Sequence, residues 1–99
     1  MGNSGLAQYK MARVVTATPA DASVGGGRIM AIELEGGSDA SSVDIFDAAS
    51  ETGTAIFTMS VGTALSQFRD FTTIGGIQCS TGIWVKPTGT GAICYVWVG

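Results

Sequence analysis

The chain has 99 residues, which is enough for one domain but not for two hydrophobic cores. Charged residues make up 13% of it, against ~25% in a typical soluble domain. Eight acidic and five basic residues give a net charge of −3, which argues against a nucleic-acid partner. The sequence has no histidine, so the commonest general base and metal ligand are both missing.

Residues 1–10 are polar and lack periodicity, which predicts an N-terminal arm ahead of a domain at residues 11–99. The segment has no basic stretch followed by an apolar run, so it does not resemble a secretory signal. No part of the chain approaches the ~18 apolar residues that a membrane span needs, so we expect no membrane partner.

Two strands are predicted in the first third of the chain. Residues 13–18 are rich in β-branched side chains and stop at Pro19, which cannot donate to a ladder. Residues 28–35 alternate, with Met30, Ile32 and Leu34 on one face and Glu33 and Glu35 on the other. This alternation predicts a strand with one buried face and one solvated face.

The middle of the chain predicts a β-hairpin followed by an edge strand. Residues 42–47 and 54–60 both show period-two alternation, and the polar segment between them suits a hairpin loop of several residues. Residues 63–71 could form one helical turn, but they suit an edge strand better.

The last quarter of the chain predicts a second hairpin. Residues 77–79 and 83–86 read as one strand bent at Gly82, and residues 92–98 as its partner across a turn at residues 87–91. Neither face of this hairpin is polar, whereas a sheet with one solvated side alternates. We therefore expect its outer face to be covered by the arm, by another copy or by a different protein. A strand in mid-sheet, covered by the domain's own loops, is the alternative.

These elements together predict the fold class. About seven strands, turn signals every ~8 to 12 residues and no amphipathic helix indicate an all-β protein. We predict an antiparallel β-sandwich, jelly-roll-like, with a loose N-terminal arm. A closed barrel is the structural alternative.

No pattern in the chain indicates an enzyme or a cofactor site. The three consecutive glycines at 25–27 precede a strand, whereas a phosphate loop leads into a helix. Serine and threonine have no histidine to activate them. Cys79 and Cys94 lack the Cys-x-x-Cys spacing of zinc and redox sites, so we predict two reduced, buried thiols, as suits synthesis in a cytoplasm.

A loose acidic cluster surrounds the strand at residues 42–47. It could hold calcium, but it does not match an EF-hand loop, and solvated loop acids are the better interpretation. The cluster consists of Asp39, Asp44, Asp47 and Glu51. We predict no metal and no cofactor.

Four segments resemble a known group of proteins. They are Val-Asp-Ile-Phe-Asp-Ala-Ala-Ser at 43–50, Gly-Thr-Ala-Ile-Phe at 53–57, Gln-Cys-Ser-Thr-Gly-Ile-Trp-Val at 78–85 and Gly-Thr-Gly-Ala-Ile-Cys-Tyr-Val at 89–96. Over residues 28–98 this pattern is similar to small virion proteins of tailed bacteriophages. The resemblance implies a non-enzymatic structural role, either as a capsid decoration (cement) protein or as a tail or fibre accessory.

From this resemblance we expect a decoration protein on the capsid surface of the virion. Its partners would be the major capsid protein and other copies of itself, with a trimer as the expected symmetry. Trp and Tyr often anchor protein contacts, and an arm can order on a neighbour. The predicted interface residues are Tyr9, Lys10, Arg13, Trp84, Tyr95, Val96 and Trp97. A carbohydrate-binding module that stacks sugars on the same aromatic residues is the rival hypothesis.

Overall fold

A computed structural model of the protein describes residues 6–99, which form nine β-strands and a short 3-10 turn at Thr72–Ile74. The strands are β1 Lys10–Val15, β2 Ala20–Asp21, β3 Gly27–Glu35, β4 Ser41–Phe46, β5 Phe57–Val61, β6 Ser66–Asp70, β7 Ile77–Cys79, β8 Trp84–Thr88 and β9 Ile93–Val98. The all-β prediction is confirmed, with nine described strands where about seven were expected.

The strands form two antiparallel sheets. One sheet has the order β1-β9-β3-β6, with β7 in line after β6 along the same edge of β3, and the other has the order β2-β8-β4-β5. With β6 and β7 counted as one position, this is the strand order of a jelly roll, whose two sheets pack face to face. The predicted sandwich and its jelly-roll character therefore agree with the observed topology.

The hydrophobic core lies between the two sheets, because the inward positions of most strands are apolar; on the edge strand β6 they are Gln67 and Arg69. In β9, Cys94 and Val96 point inward and are fully buried. In β3, Ile32 and Leu34 do the same, and Val85 of β8 meets them from the other sheet. The predicted alternation is observed from Ile32 to Glu35, with Glu33 and Glu35 only half-buried. It is wrong for Met30, because a bulge between Ile29 and Ala31 shifts the register and Ile29 enters the core in its place.

The predicted final hairpin is wrong. β8 pairs with β2 and β4, whereas β9 pairs with β1 and β3, so the two strands belong to different sheets. The short connection at residues 89–92 carries the chain from one sheet to the other instead of turning it back. Each strand thereby has paired neighbours on both sides, which satisfies the backbone groups of two largely buried segments.

The predicted bend at Gly82 is also a crossing between sheets. β7 pairs with β3, and β8 lies in the four-stranded sheet. A side chain at Gly82 would meet the backbone carbonyl oxygen of Ala48 at 2.5 Å. The glycine is therefore required by close packing of two loops rather than by a bulge within one strand.

The other predicted elements are close to the observed ones. The predicted hairpin at residues 42–60 is confirmed as β4 and β5, and the predicted edge strand is confirmed as β6. The first strand begins three residues earlier than predicted, and the two-residue strand β2 was not predicted. Of the predicted arm, residues 1–5 lie outside the described residues, Leu6 is buried, and Lys10 already pairs with Val98.

The Asp47 carboxylate links the connection between β7 and β8 to the end of β4 by hydrogen bonds. Its carboxylate accepts the backbone N–H groups of Thr81 at 2.8 Å and Ser80 at 3.1 Å. These two donors lower the pKa of Asp47 below its usual value of 3.8. A carboxyl whose pKa is lower in the folded state stabilises the fold at a pH above the unfolded-state pKa, and this stabilisation disappears as the pH falls.

We therefore expect Asp47→Asn to lower the urea midpoint at pH 7, because an amide offers only one acceptor atom to the two N–H groups. The difference from the wild type should shrink as the pH falls below about 4, where the wild-type carboxyl is also neutral. Asp39→Asn is the control, since that exposed side chain has no hydrogen bond to any described residue. A difference that stays constant from pH 7 to pH 3 would contradict this account.

Candidate interaction surface

The outward side of the five-stranded sheet carries an exposed apolar surface, which we call the aromatic face. Residues on β1, β9, β3 and β6 build it, because alternate positions on each strand point away from the core. It consists of Met11, Arg13, Glu33, Phe68, Tyr95 and Trp97, and it is bordered on the same outward side by Val15, Ile93, Glu35, Ser66 and Asp70. Met11 is 48% exposed and Phe68 is 45% exposed, so the face is open to solvent in the isolated chain.

The rings of this face contact one another across β3. Phe68 and Trp97 meet edge to face, with ring centroids 5.9 Å apart and planes at 78°. Tyr95 and Trp97 lie 6.4 Å apart, with planes tilted by 40°. Ala31 pairs with Trp97 and Asp70 in the sheet and is fully buried, as expected if the aromatic rings meet over its small side chain. The rings thus form one connected layer.

The opposite outer surface, on the four-stranded sheet, is polar by contrast. Its central and edge strands present hydroxyl and charged side chains, and Lys86 forms an ion pair with Glu51 at 2.8 Å. The outward residues of β4, β5 and β8 include Ser42, Asp44, Thr58, Ser60, Lys86 and Thr88. The apolar residues on this outer side, Phe46 and Trp84, lie together at one end of β4 and β8, and Phe46 is buried. The exposed large apolar side chains on strands, Met11 and Phe68, therefore both lie on the outer surface of the five-stranded sheet.

The aromatic face unites three of the residues predicted from the sequence, Arg13, Tyr95 and Trp97. Arg13 is opposite Tyr95 in the ladder, and its side chain is exposed. Lys10 begins the same strand, and the ring of Tyr9 is half-buried beside Gly99.

Two other predicted residues lie elsewhere. Val96 points into the core and is fully buried, so it contributes to packing and not to the surface. Trp84 lies on the outer side of the four-stranded sheet, opposite Asp21 and Phe46. Its Nε1 is buried without a hydrogen-bond partner among residues 6–99. The expectation that Trp84 shares a hairpin with Tyr95 and Trp97 is wrong, because their strands belong to different sheets.

Three members of the face were missed from the sequence. The sequence predicts Met11 at the start of the domain but not in a strand. It predicts Phe68 on an edge strand but does not identify the neighbouring strand. Glu33 was correctly assigned to an outward side, but its neighbours were unknown. The missed signal is the alternation of Met11, Arg13 and Val15, which matches that of Ile93, Tyr95 and Trp97.

The remaining chemistry of the described residues is structural. Burial raises the pKa of the Cys79 thiol to about 11 and that of Cys94 to about 12, and both thiols are free. Of the acidic cluster predicted around residues 42–47, Asp47 accepts backbone N–H groups and Glu51 pairs with Lys86. Within residues 6–99 no group of three potential ligands is placed to hold a metal ion.

No helix in the described part of the chain has the length and hydrophobicity needed to cross a membrane.

No model of a known protein family matches the sequence, and no curated protein is significantly similar to it.

Phe68→Ala should lower the free energy of unfolding by about 1 kcal/mol, because it removes the edge-to-face contact with Trp97. Urea denaturation monitored by circular dichroism measures the change. Val24→Ala is the matched control, since Val24 is 91% exposed in a loop, and its effect should stay within ~0.5 kcal/mol. Equal stabilities for Phe68→Ala and the wild type would show that the ring contact contributes nothing.

Proposed function

We propose that this chain is a non-enzymatic virion structural protein, a capsid decoration protein that self-associates and binds the major capsid protein on the outside of a phage head. The observation that carries the proposal is the aromatic face, where exposed Met11 and Phe68 lie beside the half-buried rings of Tyr95 and Trp97 on one outer side of the sandwich. The phage context comes from the sequence resemblance alone.

The aromatic face supports a protein that works in an assembly. A surface that presents Trp, Tyr, Phe and Met together with a flanking Arg has the composition of an interface core. Such a surface on a domain with a low charged fraction favours association over a solitary existence. Repetition on a lattice then allows weak individual contacts to give stable attachment. The trimer expected from the sequence stays a prediction.

A non-enzymatic role agrees with the chemistry of the chain. The sequence has no histidine, and its two thiols are protonated at neutral pH because burial raises their pKa values. The two aspartates with lowered pKa values, Asp47 and Asp70, accept hydrogen bonds from neighbouring loop groups, which is a structural use of a carboxylate.

Carbohydrate binding is the second candidate, because three aromatic side chains lie on one open face. A sugar stacks flat on an exposed ring, and the rings here are inclined to each other by 40° and 78°. They offer edges to one another and not a common flat platform, which favours a protein partner. A tail or fibre accessory role shares the same structural class and differs only in location.

The proposal is tested by adding the purified chain to heads assembled from the major capsid protein of the phage that encodes it. We expect saturable binding at symmetry-related sites on the outer surface, visible by electron cryo-microscopy, and heads that resist heating better than bare ones. Density on the tail or fibre of the virion would replace decoration by the accessory role. A virion without this chain, together with glycan binding that Tyr95→Ala abolishes, would reject the structural proposal.

A further inference from the structure

Opposite charges flank the central tyrosine of the aromatic face. Arg13 of β1 and Glu33 of β3 are both ladder partners of Tyr95 in β9, so the three residues form one row across the sheet. The two charged residues are two strands apart, which is about 9.6 Å between their backbones. Among the described residues the only ion pair is Lys86 with Glu51, so Arg13 and Glu33 have no charged partner there.

This row is complementary to a second copy of itself. A two-fold axis that lies in the plane of the face and runs along β9 places β1 of one copy over β3 of the other. Arg13 of each copy then lies over Glu33 of its partner, and Tyr95 and Trp97 meet their own counterparts at the axis. A two-fold axis that lies in the same plane but runs across the strands, along this row, would instead place Arg13 over Arg13. The charges therefore select one of the two face-to-face arrangements.

We propose that the aromatic face is covered by a second copy of this chain, in a two-fold pair with β9 at the axis. This inference rests on the proposed function, because it names the partner of the self-association proposed there. The contact is isologous, so each pair holds two Arg13–Glu33 contacts around one aromatic centre. A contact of this kind closes as a dimer, whereas a trimer requires a different patch on each partner.

The area of the aromatic face limits the affinity of the dimer. With β9 at the axis, strands β1, β9 and β3 of the two copies overlap, and β6 of each copy lies beyond β1 of the other. Three strands about 4.8 Å apart, each with three outward residues about 6.7 Å apart, give an area on the order of 300 Å². Stable interfaces bury about 800 Å² on each partner. We therefore expect a reversible dimer with a Kd on the order of micromolar or weaker.

Charge reversal tests the pairing. Sedimentation velocity over a range of concentrations should show a dimer for the wild type, and Arg13→Glu and Glu33→Arg should each raise its Kd by about tenfold or more through like-charge contacts. The double variant R13E/E33R should return to within about threefold of the wild type, and an equimolar mixture of the single variants should form a heterodimer. Arg69→Glu is the control, because it makes the same change in charge at a residue outside the proposed contact. Arg69 is adjacent to Phe68 in β6 and therefore points to the other side of the sheet.

Several results would overturn the inference. They are a wild type that is monomeric or trimeric at every concentration, single reversals that leave the Kd unchanged, or a double variant no better than the single ones. If Glu33→Arg does not fold, as judged by circular dichroism, Glu33→Gln takes its place and should still weaken the dimer. A chain that decorates heads but never pairs would remove this inference and keep the proposed function. A chain that pairs but binds no heads would keep the two-fold pairing and reject the capsid-decoration role.

Discussion

The structure depends on β9, a strand that is apolar on both of its faces and lies in the middle of its sheet. Cys94 and Val96 enter the core from its inner side, and Tyr95 and Trp97 line its outer side. Its backbone is paired with β1 on one side and β3 on the other, so the strand has no free edge. Burying the inner side completes the sandwich, but by the same alternation it leaves the outer side of β9 only half-buried.

This constraint links the fold to the proposed function. The connection from β8 to β9 crosses between the sheets, so the two tryptophans lie on opposite outer surfaces, with Trp97 among aromatic rings and Trp84 beside polar strands. One surface is therefore suited to solvent and the other to a partner. The opposite charges of Arg13 and Glu33 then specify the orientation in which a second copy binds, which a purely hydrophobic patch does not do.

Much of the fold could be predicted because the signals were local. Alternation in residues 28–35 and 42–60 identifies the strands and most of their inward residues, although the bulge that replaces Met30 by Ile29 in the core has no local signal. The final hairpin could not be predicted in the same way. Strands that are adjacent in sequence usually pair, and nothing in residues 89–92 indicates that this connection crosses the core.

The surface itself was predictable only in part. The apolar outer side of β9 follows from its own sequence, which is why Tyr95 and Trp97 were identified. Their neighbours Met11 and Phe68 come from strands far apart in the chain and are brought together by the sheet order. Strand order is a tertiary property, so neither the membership of the aromatic face nor the row of Arg13, Tyr95 and Glu33 could be derived from local pattern.

The proposed function requires the outer side of β9 to be covered in the assembled state. Hydroxyl-radical footprinting tests it most directly, because it measures the solvent access of individual side chains in dilute and in assembled protein. We expect assembly to protect Met11, Tyr95 and Trp97 from oxidation while the oxidation of Trp84 stays the same. Unchanged oxidation of the aromatic face on assembly, or protection centred on Trp84, would contradict it.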